Sequence, residues 1–196
     1  MTLPLYKQIG QAKNAELYLA EGDIRNLKPV TGFNIDVIVN AANEELEGGG
    51  GVDGAIRTAA GYKETLEDNK IVLKQREMEY LPTGQSLPGK AFALSKYGIK
   101  NIIYTVGPIN SVHKGNSLEL LENCFRTSLD EAEALGLESI AYPLISTGIF
   151  SVPREVFAQA ARNVLSTYQF NHVKKVVLCI YGDPEANGII KKAFEK

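Results

Sequence analysis

Residues 40–56 read NAANEELEGGGGVDGAI: four successive glycines, Gly48 to Gly51, stand between a strand-like run ending in Asn40 and a helix-like run containing Asp53. Glycine loses more conformational freedom on ordering than any other residue, roughly 0.5–1 kcal/mol relative to alanine in regular structure, so four in a row are a poor choice for plain connection. The pattern implies that something comes close to this backbone. Amides without side chains, in positive-φ conformations, converge on an anion, and a helix beginning near Val52 adds the positive end of its dipole. A small anion such as a phosphate suits the loop.

Working outward, the IDVIVN that leads into the loop and the later NIIYTV and KKVVLCIY are nearly continuous apolar runs, as expected of central strands covered on both faces. Strands are expected over 17–20, 35–40, 89–95, 101–106, 139–144 and 173–181, and helices over 54–60, 62–75, 117–135, 153–168 and 184–194. Short β-branched runs alternating with longer amphipathic ones predict an α/β sheet flanked by helices. The charged stretch 63–79 reads as a solvated helix and its exit. Without repeats or linkers, and with 196 residues of which 44% are apolar and 22% charged, the chain is expected to form one domain over 1–196, with 1–16 as an N-terminal extension.

Composition narrows the function. A net charge of −2 and a pI near 5.8 argue against a large nucleic-acid footprint, although a site built from backbone N–H groups leaves no trace in that balance. No apolar run approaches the ~20 residues needed to span a bilayer, and the start MTLPLYKQIGQAKNAE has no apolar signal core, so a cytoplasmic monomer without membrane contact is expected. Cys124 and Cys179 lie far apart within apolar segments and read as core thiols, and His113 and His172 form no cluster. Neither a metal nor a cofactor is expected.

Gly49, Gly51 and Gly54 fit G-x-G-x-x-G, but the strand ends at Asn40, too far upstream for a dinucleotide-binding turn, and the region where a ribose-binding acid should follow is the charged helical stretch. A nicotinamide dehydrogenase is therefore a weak alternative, and a P-loop is ruled out because G-x-x-x-x-G-K-[ST] is absent. Asn40 and Asn43 bracket the strand end, where a carboxamide offers donors and an acceptor to sugar hydroxyls or simply makes a turn. Residues 139–153, SIAYPLISTGIFSVP, repeat the strand, loop, helix order, with small residues at Ser146, Thr147 and Gly148. Two such loops can grip a diphosphate at the carboxyl ends of the strands, and an ordinary turn is the alternative for the second.

With these residues assembled, the chain resembles the macro domain family of ADP-ribose-binding modules from about Leu17 onward. The motifs are Gly22–Asp23–Ile24, the NAAN of residues 40–43, GGGGVDGAI of 48–56, Ala59–Ala60–Gly61, Pro82–Thr83–Gly84, TVGP of 105–108 and ISTGIF of 145–150. The resemblance implies a three-layer α/β/α fold with a mixed, mostly parallel sheet. The GGGGVD form looks like the subgroup that removes mono-ADP-ribose from acidic side chains or deacetylates O-acetyl-ADP-ribose, which makes ADP-ribose derivatives and ADP-ribosylated proteins the implied partners. Two alternatives stay open: a reader that binds ADP-ribose without turnover, and a phosphatase acting on ADP-ribose 1″-phosphate.

By the same resemblance Asp23 meets the adenine amino group, with the Ile24 amide at the ring, unless Asp23 merely caps the turn that follows it. Asn40, Gly49, Gly50, Gly51 and Val52 form one side of the diphosphate and ribose site, and Ser146, Thr147, Gly148, Ile149 and Phe150 the other. Tyr181 packs on the adenine or belongs to the core. Asn43 and Asp53 are the implied catalytic pair. The helix dipole favours the anionic form of Asp53, which can orient or deprotonate water but cannot protonate a leaving group, and capping is its alternative role. The chain departs from the pattern where Arg57 and Tyr104 replace histidines and where Ser151 replaces a glycine. Arg57 is expected to modulate the site by pairing with Asp53 as a surface i, i+4 pair worth about 0.2–0.5 kcal/mol, which would hold Asp53 ionised and reduce its basicity; the alternatives are that it binds the substrate's phosphate or carrier protein, or is a solvated charge on the back of the helix.

Overall fold

The computed structural model describes residues 6–12 and 14–195. In chain order its elements are β1 (Tyr6–Ala12), β2 (Ala15–Glu21), a 3-10 turn (Ile24–Asn26), α1 (Lys28–Thr31), β3 (Val37–Ala42), α2 (Gly51–Ala60), α3 (Tyr62–Gln75), β4 (Ser86–Lys90), a second 3-10 turn (Phe92–Tyr97), β5 (Asn101–Val106), α4 (Ser117–Ala134), β6 (Ser139–Tyr142), α5 (Arg154–Leu165), β7 (Lys175–Ile180) and α6 (Pro184–Phe194). The strands form one seven-stranded sheet in the order β1-β2-β7-β6-β3-β5-β4. The four inner pairings are parallel and the two at the edges, β1 with β2 and β4 with β5, are antiparallel. The expected mixed, mostly parallel sheet is thus the one observed.

Alternation along β3 explains the layering. Val37 and Val39 point to one face, where they meet Phe125, Leu129, Phe157, Ala161 and Ile190 from α4, α5 and α6. Ile38 points to the other, with Ile56, Ala60 and Leu73 from α2 and α3. Both faces are buried, so period-two alternation of polar and apolar residues never develops and the strand reads as an unbroken apolar run. The helices lie in two layers around the sheet, giving the three-layer α/β/α arrangement.

Beyond shifts of one to three residues at element ends, two differences from the sequence reading bear on the sheet. The strand expected over 89–95 is split: β4 ends at Lys90, and Phe92, at φ 46°, turns the chain into the second 3-10 turn. The short apolar spacing around Phe92 and Leu94 is the same in both conformations. Strand β1 lies within the stretch expected as an N-terminal extension, where it adds an edge to the sheet; residues 1–5 and 13 of that stretch lie outside the described residues.

Candidate functional site

The parallel strands all deliver their carboxyl ends to one side of the sheet, and a cavity of about 670 Å³ opens there. Open α/β sheets place ligands at this edge because the loops and helix N-termini that follow the strands converge on it. Among the described residues no helix is long and apolar enough to cross a membrane, and no group of three or more His, Cys, Asp or Glu side chains is placed to hold a metal ion.

The glycine loop forms one wall. Gly48 sits at φ 89°, where a Cβ would overlap the Tyr62 hydroxyl, and a Cβ on Gly54 would lie 2.5 Å from the Gly49 carbonyl oxygen. Close packing, against the Tyr62 side chain at Gly48 and the Gly49 carbonyl at Gly54, therefore accounts for these two glycines. Gly50 and Gly51 have open space where a side chain would stand, and both line the cavity. Gly50 is the N-cap of α2 and offers no side chain, so the amides of Gly51, Val52 and Asp53 have no acceptor among the described residues. These are the orphan donors of a helix N-terminus, the kind of group that binds an anion, and Gly51 and Val52 line the cavity.

The second wall is the loop after β6. Pro143 ends the strand, and Ser146 and Ser151 adopt left-handed φ of 64° and 54°. Backbone bonds from Val152 N to Ser146 O (3.0 Å), Ser151 N to Gly148 O (2.9 Å) and Asn110 N to Phe150 O (2.9 Å) hold the bend. The amides of Gly148, Ile149 and Phe150 have no acceptor among the described residues, and the Ser146 hydroxyl is buried without a partner. A buried polar atom left unpaired calls for a ligand or water. Gly107 lies against this loop: a Cβ there would overlap Ser146 Oγ and stand 2.6 Å from Ile145 Cγ2. Gly107→Ala is therefore expected to push the loop out of place, with an overpacking penalty of about 1–3 kcal/mol and a parallel loss of ligand affinity. Thermal melting and calorimetry check the two effects separately.

At one end of the cavity the chain leaving β2 meets the end of β7. The Asp23 carboxylate accepts from the Arg25 amide (3.0 Å), capping the 3-10 turn, and from Arg25 Nε (2.8 Å) and Nη2 (2.6 Å). These side-chain bonds from the guanidinium hold the Asp23 carboxyl below the usual carboxylate range. Tyr181 lines the same end and is 78% exposed, so its core-packing alternative is excluded. Burial pushes the Cys179 thiol up to about 12, and this cavity-lining sulfur is no thiolate nucleophile near neutral pH.

Asp53 and its neighbours lie behind the glycine wall. Asp53 is 4% exposed; its Oδ1 accepts from Asn40 Nδ2 (2.6 Å) and Arg57 Nε (2.8 Å). No described residue donates to Oδ2, which would stand 3.5 Å from a Cβ on Gly49. Asn40 is fully buried, with its own Oδ1 unpartnered. Arg57 is 0% exposed and does not reach the cavity, which corrects the surface-pair, solvated-charge and phosphate-binding expectations together. Its surroundings come from α3 and β5: Thr65 and Asn69 face it from the helix, and the Tyr104 ring lies 4.7 Å from its guanidinium carbon. The stretch 63–79 is accordingly not solvated all round, since Thr65, Asp68, Asn69 and Leu73 are buried.

Of the residues singled out in the sequence, Asp23, Ile24, Gly50, Gly51, Val52, Ser146, Thr147, Gly148, Ile149, Phe150 and Tyr181 line the cavity. Asn40, Asp53 and Arg57 are buried beside it without lining it, and Gly49 is exposed outside it. Asn43 is also outside it, because its Nδ2 donates to Gly48 O (3.0 Å) and its Oδ1 accepts from Glu47 N (3.2 Å), pinning the bend before the glycines. Arg25, Arg154 and Asp183 line the cavity without having been anticipated. Arg25 stands two residues after Asp23, and Arg154 opens α5 next to the second loop, so adjacency to the motifs was the available signal.

A family model described as Macro domain matches residues 39–161. The O-acetyl-ADP-ribose deacetylase of Citrobacter rodentium is 41% identical over 157 residues, covering 79% of this chain and 81% of that protein. A macro domain-containing protein of Xanthomonas campestris pv. campestris is likewise 41% identical, over 156 residues, covering 79% and 85%. Among solved structures, a mutant of the Oceanobacillus iheyensis macrodomain with ADPR is 32% identical and superposes with a TM-score of 0.84 over 97% of both chains. The same macrodomain with ADP gives a TM-score of 0.83 over 97% of this chain and 95% of that one, again at 32% identity.

Proposed function

This chain belongs to the macro domain family, and on that premise we propose that it binds ADP-ribose and hydrolyses ester-linked derivatives of it, O-acetyl-ADP-ribose or mono-ADP-ribose on acidic side chains. The observation that carries the reading is the pair of unpaired donor sets that line one cavity, Gly51 and Val52 from one loop and Gly148 to Phe150 from the other, with Asp53 in the turn next to the first. The diphosphate lies between the two sets, and the adenine lies at the end formed by Asp23, Ile24 and Tyr181. The distal ribose then lies over Gly49, near Asp53. The relatives named for deacetylase activity and the macrodomain with ADPR support the same ligand.

In this mechanism Asp53 Oδ2 orients a water and takes its proton as the water oxygen attacks the ester carbonyl carbon. The bond from that carbon to the ribose oxygen breaks, the ribose oxygen gains a proton, and ADP-ribose and the free acid leave. Asn40 holds the other carboxylate oxygen. Asn43 shapes the loop through Gly48 and Glu47 and reaches the distal ribose only by exchanging those bonds.

The test is incubation with O-acetyl-ADP-ribose and, separately, with a protein carrying mono-ADP-ribose on glutamate. Release of acetate from the first or of ADP-ribose from the second is the expected result, and calorimetry should show one-to-one binding of ADP-ribose with AMP weaker. Binding without turnover makes the chain a reader. Inorganic phosphate released from ADP-ribose 1″-phosphate, with the esters untouched, makes it a phosphatase.

A further inference from the structure

Resting on the hydrolase reading, we propose that Arg57 is a positioning residue: a guanidinium sealed between α2, α3 and β5 that fixes the Asp53 carboxylate so that only Oδ2 is offered to water. Arg57 is fully buried and absent from the cavity lining, so it reaches the site only through its neighbours: Asp53, which it bonds, and the glycine loop, where its Cδ would lie 3.3 Å from a Cβ on Gly48. Its Nε donates to Asp53 Oδ1 at 2.8 Å. Nη1 reaches Thr65 Oγ1 at 3.4 Å, and Asn69, with its carboxamide oxygen turned to the guanidinium, accepts from Nη2 at 3.1 Å and Nη1 at 3.2 Å. The Tyr104 ring covers the guanidinium plane at 4.7 Å. A planar fork held at both ends and on one face has a single orientation available, which a flexible ammonium on a lysine stem cannot reproduce.

The consequence for Asp53 follows from where its bonds fall. Asn40 Nδ2 and Arg57 Nε both use Oδ1, so the lone pairs of that oxygen are spoken for. Swinging the carboxylate to any other rotamer would leave the buried Arg57 cation without its bonded counter-ion. Oδ2 is thereby left facing the Gly49 side of the loop. An aspartate in the first turn of an exposed helix would sample several rotamers, and a misplacement of about 1 Å can cost about a hundredfold in rate. Arg57 and Tyr104, two of the chain's departures from the family pattern, are in contact and work as one unit.

Arg57→Lys is the primary test, read as kcat on O-acetyl-ADP-ribose, Kd for ADP-ribose by calorimetry, and amide hydrogen exchange over residues 49–54. We expect kcat to fall about ten- to a hundredfold, Kd to stay within about twofold because Arg57 does not touch the cavity, and exchange in the loop to quicken. Asn69→Ala keeps the charge pair and removes only the far anchor, so it serves if the lysine variant fails to fold; a smaller fall in kcat at unchanged Kd is expected. Tyr104→Leu, which removes the ring that covers the guanidinium, should follow Asn69→Ala. Folded variants with parental kcat and parental loop exchange overturn the proposal, as does a loss of affinity that equals the loss of rate. If the parent protein itself turns nothing over, the hydrolase reading fails; parental loop exchange in the lysine variant then overturns the positioning role, and quickened exchange upholds it.

Discussion

Asp53→Ala is expected to lower turnover by roughly 10²–10⁴ and, unusually for a residue chosen on catalytic grounds, to destabilise the fold by about 3–5 kcal/mol. The second effect comes from burial. Arg57 has no solvent exposure and finds its bonded counter-ion in Asp53, so removing the carboxylate leaves an uncompensated charge inside the protein. A surface pair would be worth only about 0.2–0.5 kcal/mol, and the difference decides how the variant behaves. For a domain of this size each kcal/mol corresponds to about 2–4 °C in Tm, which places the melting temperature roughly 6–20 °C below the parent. ADP-ribose affinity of the folded variant should change little, because Asp53 lies outside the cavity lining. Adding Arg57→Met to Asp53→Ala should recover most of the stability and none of the turnover. A single variant melting within about 2 °C of the parent would show the buried pair to be energetically idle.

Gly50→Glu should act in the opposite sense, abolishing ligand binding in a protein that still folds. Gly50 has φ −89°, ordinary for any residue, and open space where its side chain would go. Gly51 is the poorer choice, since at φ 60° a side chain adds left-handed strain of about 1–2 kcal/mol. A carboxylate at about 4 Å from a phosphate group, at an effective dielectric near 20, opposes it by about 4 kcal/mol. That corresponds to about a thousandfold in Kd. Calorimetry with ADP-ribose measures it, and circular dichroism with thermal melting verifies the fold. Parental affinity in a folded Gly50→Glu protein would mean that the diphosphate does not lie against α2.

The sequence carried the sheet and both walls of the cavity because their signals are local. Continuous apolar runs mark strands buried on two faces, and the glycines and the Ser146–Gly148 stretch mark backbone that must bend or be approached. What it did not carry depends on partners distant in the chain. Nothing near Arg57 reveals that Tyr104 would cover it and Asn69 would bind it, and an i, i+4 pair of opposite charges looks the same on a surface as in a core. Asn43 stayed ambiguous for a related reason: a carboxamide after a strand can face a ligand or close its own loop, and in this structure it bonds its own loop. The short β4 and the turn after it escaped because FALS has the same apolar spacing whether extended or coiled.

The burial of Arg57 also bears on how this half of the molecule assembles. Its guanidinium cannot lose its water until α2, α3 and β5 are all in place, since each supplies part of the surroundings that replace that water. Any partly built arrangement of these three pieces holds either a hydrated cation that blocks closure or a dry one without its full set of partners. Intermediates are disfavoured on both counts, so α2, α3 and β5 should dock in one cooperative step and come apart as one unit. A charge placed at the junction thus acts as a checkpoint on folding, admitting the glycine loop to its final shape only when α3 and β5 are in place.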